Sequence, residues 1–222
     1  MTATNYWTHI PTATGISYYI EYDDLLAEVK PHLTQGTVMF GNLERRLTAF
    51  FSKENVIMKY SGRSLVPNIP IHNSLIDQML TYINTDSFKS ELLAYGINSD
   101  IPVFNAVFVN WYRPPSITDE PDKLGYHADD ESSLASDIIV SITICEENGY
   151  RLFRFQARYN QDGTKNSNGY VWQAELQHKD LLIMLPGCQK LFKHSVCDHK
   201  KHLNGTHVTG GRINLTFRSI KY

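Results

Sequence analysis

The sequence predicts a mainly β fold of the sandwich or jelly-roll type, preceded by a few helices. Three observations carry that prediction. Helical spacing of apolar residues falls in the first hundred positions. From about Val103 onward, short β-branched and aromatic runs follow one another with turn signals between them. No repeat, low-complexity tract or Pro/Gly-rich linker cuts the 222 residues in two, a length that one domain with a sizeable core accommodates.

Taken in order, residues 22–33 have helical spacing with Asp near the start and read as one or two short helices. Residues 40–70 are irregular and rich in aromatic and basic side chains, and residues 73–84 read as an amphipathic helix with a polar cap. Strands are expected over 104–112, 137–145, 150–155, 171–176, 180–185 and 212–218. Many short strands of this kind close off their own sheet edges when they wrap into a jelly roll.

The formal charge of −2 gives no global basic field, so a grip on nucleic acid has to come from local patches. Arg45 and Arg46, the run Arg151, Arg154 and Arg158, and Lys190, Lys193, Lys200 and Lys201 are the candidates, and each could equally be a solvated face. Three cysteines, Cys145, Cys188 and Cys197, form neither a C-x-x-C pair nor an even framework, as expected in a reducing compartment. Without a basic-then-apolar leader or a run long enough for a bilayer, the chain is expected to be soluble and intracellular. Nucleus and cytoplasm remain equally open.

The chemistry concentrates in His127-Ala-Asp129-Asp130, in a later His194, and in the closing strand from Arg212 to Arg218. Two His and one carboxylate are the facial triad that holds non-haem Fe(II) while leaving positions free for co-substrate and O2. Asp129 stands two residues after His127, so both side chains can leave one face of a strand end. An Fe(II) enzyme using 2-oxoglutarate also needs a fixed cation for the far carboxylate, which a guanidinium fork grips through two hydrogen bonds. Arg212, Asn214, Thr216 and Arg218 share one strand face, as do Asn110 and Tyr112. Such a polar face is ruinous in a dry core unless it meets a polar ligand, and ordinary if it faces water. Cys197, His199, His202 and His207 sit at short spacing as a possible zinc decoy, but one Cys beside a lysine pair reads better as a polar basic loop.

With Asn110-Trp-Tyr112, His127-Ala-Asp129-Asp130-Glu131, His194 and Arg212-Ile-Asn-Leu-Thr-Phe-Arg218, the chain resembles the AlkB family of Fe(II)/2-oxoglutarate nucleic-acid dioxygenases. The likeness runs from roughly Phe40 to the C-terminus, with weaker matches in Arg45 to Phe51 and Lys59 to Gly62. It implies a double-stranded β-helix core over 101–222 and N-terminal helices with a nucleotide-recognition lid over 1–100. It implies His127, Asp129 and His194 as iron ligands, Arg218 on the far carboxylate of 2-oxoglutarate, and Arg212 towards its iron-chelating end. Asn110, Tyr112, Asn214 and Thr216 would complete that pocket. Asp130 would face the flipped base, Tyr60 would stack on it, and Phe40-Gly41 would wedge the gap left in a duplex.

The activity so implied is oxidative demethylation of bases such as 1-methyladenine and 3-methylcytosine in alkylated DNA or RNA, releasing formaldehyde and succinate. The enzyme would act as a monomer with no membrane partner. Two alternatives stand beside it: a 2-oxoglutarate dioxygenase acting on protein or lipid, and a nucleic-acid-binding module without turnover.

Overall fold

The computed structural model describes residues 6–11, 20–35, 38–39, 42–43, 45–60, 63–97, 100–118, 122–160, 163–166, 169–197 and 202–222. In chain order the N-terminal hundred residues hold β1 (Trp7–Ile10), α1 (Tyr22–Val29), β2 (Thr34–Gln35), β3 (Val38–Met39), β4 (Asn42–Leu43), β5 (Leu47–Ser52), β6 (Met58–Tyr60), β7 (Arg63–Leu65), α2 (Leu75–Tyr82) and α3 (Asp86–Ala94). The remainder holds β8 (Ala106–Tyr112), β9 (Leu124–His127), β10 (Ile139–Cys145), β11 (Arg151–Ala157), β12 (Trp172–Leu176), β13 (Leu181–Met184), α4 (Cys188–Leu191), β14 (Phe192–Val196) and β15 (Arg212–Arg218).

The helices have local causes. In α1, Tyr22, Leu25 and Val29 recur at helical spacing and are buried, while Asp23 and Asp24 sit in the first turn where the helix dipole favours negative charge. Pro31 cannot donate to the ladder, and the chain tightens into a 3-10 turn over Lys30–His32. Ser74 caps α2 by accepting from the Asp77 amide, and both carboxylate oxygens of Glu28 accept amides of its first turn, at 2.7 and 3.0 Å. Helix α3 was not expected. Its signal was present in Thr85, whose side chain accepts from the Phe88 amide, and in Gly96, which takes a positive φ of 77° just beyond the end.

Two antiparallel sheets face each other. The larger has the order β1-β13-β10-β15-β8-β5-β2 and the smaller β12-β11-β14-β9; β3/β4 and β6/β7 are separate two-stranded hairpins. Each of the strands expected from sequence is present, shifted by no more than about two residues at either end. Strand β1 pairs with β13 and β5 with β8, so segments of the first hundred residues extend the large sheet rather than standing apart from it.

One face of the large sheet packs its apolar side chains, Val107, Val109, Trp111, Ile213, Leu215 and Phe217 among them, against Leu25, Val29, Met79 and Phe88 of the helices. The opposite face meets the small sheet through Tyr112, Ile139, Phe153, Phe155 and Leu182. With both faces covered, every residue of β8, β10 and β15 is buried. The polar face of β15 therefore does not look out to water. It looks into the space between the sheets.

Candidate metal centre and co-substrate pocket

His127 is the last residue of β9, and His194 lies in the middle of β14. The two histidines are directly paired across the strands, and the register slips between His194 and Val196. A slip of this kind kinks the ladder and re-aims side chains, and the two imidazole centroids come to 4.1 Å. Asp129, two residues past β9, brings Oδ1 to 3.6 Å from His127 Nε2 and Oδ2 to 3.8 Å from His194 Nε2. Ligand atoms of all three lie within 4.8 Å of one another. His127 Nδ1 lies 2.9 Å from the Gly125 carbonyl, which can only accept. The proton is therefore on Nδ1, and the Nε2 lone pair is left for a metal.

Electrostatics keep this set ready for a cation. Burial, then the charge of His127, lowers the His194 imidazole to about 3, so it is neutral at physiological pH. Burial alone would raise the Asp129 carboxyl, but Arg218 and the two imidazoles hold it at about 2. Asp129 Oδ2 receives Arg218 Nη2 at 2.8 Å, while the buried Oδ1 has no hydrogen-bond partner among the described residues. A negatively charged, buried, unpartnered oxygen between two imidazoles fits a divalent cation.

The structure puts Arg218, not Arg212, beside the triad. Arg218, assigned from sequence to the far carboxylate, touches Asp129 of the triad, and its Nη1 approaches Met58 Sδ at 3.4 Å. Arg212, assigned to the chelating end, sits six residues earlier with Nη2 on Thr143 Oγ1 (2.9 Å) and Asn214 Oδ1 (2.8 Å), beside the Tyr112 ring. It is 1% exposed, and its buried Nε and Nη1 have no hydrogen-bond partner among the described residues. Leaving a guanidinium half-satisfied in the interior is costly. The direction in which β15 runs past the triad sets which arginine meets Asp129, and the sequence does not carry that direction.

Between the arginines, Asn214 Nδ2 donates to Thr216 Oγ1 and Asn214 Oδ1 accepts from Ser141 Oγ, both at 2.9 Å. Asn110, Tyr112, Ser141, Asn214, Thr216 and Arg218 share one pocket with the triad, and Leu124, Phe153, Met184 and Val196 supply apolar lining. Ser141 and Thr143 are missing from the sequence reading. Their signal was two polar residues at i and i+2 in the otherwise apolar run Ile138 to Ile144. A larger cavity of about 560 Å³ lies elsewhere, lined by Glu21, Tyr22, Asp23, Glu146 and His178 among others, and holds none of the triad.

The expected substrate contacts fare differently. Tyr60, on the β6/β7 hairpin, lines the same pocket. It is 8% exposed, tilts against Phe108 at 5.0 Å, and its hydroxyl accepts from Arg46 Nη2 at 2.9 Å. Arg46, read as half of a basic patch, is in fact 1% exposed and also donates through Nε to Asn110 Oδ1 at 2.7 Å. Arg151 is buried too, donating to the backbone carbonyls of Gly149 and Gly210, so neither guanidinium forms a solvated face.

Asp130 turns outward. Its carboxylate is 60% exposed and meets Arg158 Nη2 at 2.5 Å, which weakens its assignment to a flipped base. The next residue, Glu131, has Oε2 buried without a partner, and burial followed by the charge of Asp129 pushes its carboxyl up to about 7. Phe40 and Gly41 lie outside the described residues; the strands on either side of them pair Val38 with Leu43 and Met39 with Asn42. His199 of the zinc decoy is likewise outside them.

Among known proteins, a family model described as the 2OG-Fe(II) oxygenase superfamily matches residues 80–218, a span that contains the triad and both arginines. An uncharacterized protein of Acanthamoeba polyphaga mimivirus is 24% identical over 204 residues, which is 90% of this chain and 87% of that protein. A crystal structure of a Pseudomonas putida prolyl-4-hydroxylase superposes with a TM-score of 0.54 at 12% identity, covering 99% of this chain and 95% of the other. At that identity the likeness is one of fold.

Proposed function

The chain belongs to the 2OG-Fe(II) oxygenase superfamily, and from that premise we propose that it removes N-methyl groups from alkylated bases, such as 1-methyladenine and 3-methylcytosine, in DNA or RNA. Fe(II), 2-oxoglutarate and O2 are the cofactor and co-substrates of the superfamily, and the His127, Asp129 and His194 set fits the metal. His127, Asp129 and His194 would hold the iron, which when bound would supply the chemistry that links oxidative decarboxylation of 2-oxoglutarate to succinate with hydroxylation of a nearby C–H bond. A hydroxylated N-methyl group collapses to formaldehyde and the unmodified base.

The remaining work falls to the chain. Arg212, with the Tyr112 hydroxyl beside it, would take the far carboxylate of 2-oxoglutarate on Nε and Nη1. Arg218 orients Asp129 and raises the positive potential at the chelating end. Arg46 can only donate, so Asn110 must turn Oδ1 towards it, leaving the Asn110 Nδ2 protons for the co-substrate. Leu124, Phe153 and Val196 keep that side of the pocket dry.

The observation that carries the nucleic-acid reading is the position of Tyr60. A hairpin places its ring in the wall of the pocket that holds the triad, where a flipped base could stack. Glu131, with a buried free oxygen next to Asp129, is better placed than Asp130 to meet the edge of that base. In this reading the enzyme acts as a monomer. Among the described residues, no helix is long and apolar enough to cross a membrane.

Mass spectrometry of methylated DNA and RNA oligonucleotides, single- and double-stranded, tests the reading together with a formaldehyde assay. Demethylation that needs both Fe(II) and 2-oxoglutarate is the expected result. Succinate formation stimulated by a protein or lipid, with no oligonucleotide demethylated, would replace it. Absence of succinate under all conditions would leave a binding module.

A further inference from the structure

We propose that Gln189 is a positioning residue for the metal centre, holding Asp129 between the two imidazoles through the Asp129 backbone. Gln189 is 3% exposed. Its Oε1 accepts the Asp129 amide at 2.9 Å, and its Nε2 points to Met184 Sδ at 3.1 Å. Met184 lines the pocket, so one side chain joins the ligand-bearing loop to the pocket wall. The inference rests on the superfamily reaction and is independent of which substrate is oxidised.

The surrounding chain explains why this glutamine is fixed. Gly187 adopts a positive φ of 85°, and a Cβ there would come within 3.3 Å of the Tyr6 ring. That turn opens the short helix α4, in which Lys190 and Leu191 amides return to the Gly187 carbonyl. Strand β14 starts at once after it, and His194 follows Gln189 by five residues. Gln189 thus ties the loop carrying Asp129 to the element that delivers His194.

Asp129 lies past the end of β9, outside the ladder that holds the two histidines. Its amide is buried, so a lost acceptor leaves a bare N–H unless the loop shifts to find another partner. A shift of the loop carries the carboxylate away from the imidazoles. Arg218 on Oδ2 would then pull it to one side with nothing opposing.

The test replaces Gln189 by Met, which keeps length and volume but has no acceptor oxygen, and by Glu, which keeps one. Metal-free protein is titrated with Co(II), read by visible absorbance, and each variant is melted in parallel. Gln189→Met should weaken Co(II) binding by roughly 10–100-fold, the usual effect of removing an outer partner of a metal ligand. Its melting temperature should stay close to that of the original protein, and Gln189→Glu should regain most of the affinity. Undiminished Co(II) binding by Gln189→Met overturns the proposal. So does a loss shared by both variants that tracks a fall in melting temperature, since that describes packing and not positioning.

Discussion

The two regions that meet at the pocket are built differently. Strands β8 and β15 are hydrogen-bonded on both sides, to β5 and β15 and to β8 and β10, and their fourteen residues are all buried. The hairpins β3/β4 and β6/β7 are strands of two or three residues, each hairpin a sheet of its own. Where the backbone is held from both sides, side chains such as Arg212, Asn214 and Arg218 can be placed to within a hydrogen bond. Where it is held from one side, the backbone can adjust to what it meets. The proposed grip on 2-oxoglutarate sits on the first kind of element and the proposed choice of substrate on the second, a division that rigid sites on sheets and adaptable ones on loops generally follow.

The largest effect should come from the triad, which stands at the pocket that the two regions share. Asp129→Ala removes the carboxylate that both imidazoles face, and loss of succinate formation should exceed the roughly 10–100-fold that outer partners cost. Normal turnover by this variant, without added carboxylate, would remove Asp129 from the site.

Next in size is Arg212→Lys, which keeps the charge and loses the fork. A bidentate charge-assisted pair is worth about 2–3 kcal/mol, so binding of 2-oxoglutarate should weaken by roughly a hundredfold in calorimetry. Arg218→Lys should instead weaken metal binding together with 2-oxoglutarate, because Arg218 rests on Asp129. If 2-oxoglutarate affinity falls with Arg218 alone, the order of the arginines reverts to the sequence expectation.

The hairpins should give smaller and more selective changes. Tyr60→Ala should reduce use of a methylated oligonucleotide by about 1–3 kcal/mol, the worth of one base–aromatic stack, while slow 2-oxoglutarate decarboxylation persists. A core role predicts something else, since Tyr60 also packs on Phe108. In that event all activities and the melting temperature fall together, and the hairpin belongs with strands β8 and β15.

The smallest effects concern charge. In the metal-free protein, burial keeps His194 neutral down to about pH 3, whereas an unfolded imidazole protonates near pH 6.5. The unfolded chain therefore binds the extra proton across that window, and stability should fall as pH drops through it. Denaturant melts of the metal-free protein and of His194→Gln between pH 7 and 4 should show a shallower slope in the variant. Asp130→Ala removes an exposed pair with Arg158 and should change stability by less than about 1 kcal/mol. A loss of demethylation greater than the loss of 2-oxoglutarate consumption would return Asp130 to the substrate.

Strands β8, β10 and β15 were legible because period-two patterning and β-branched residues mark a strand whatever it packs against. That His127, Asp129 and His194 would come together was legible because few residue types suit iron, and here they recur at telling intervals. Strand β5, hidden in the aromatic and basic stretch around Arg46, was not, since its pattern takes its meaning from β8 alongside it. Tertiary structure decided what spacing cannot express: which arginine stands beside Asp129, that Asp130 turns out and the Glu131 carboxylate in, and that Gln189 reaches across sixty positions to the Asp129 amide. Residue type and interval are local properties of a chain. The direction in which a strand runs past a site, and the neighbour that a loop finds there, arise when distant segments pack.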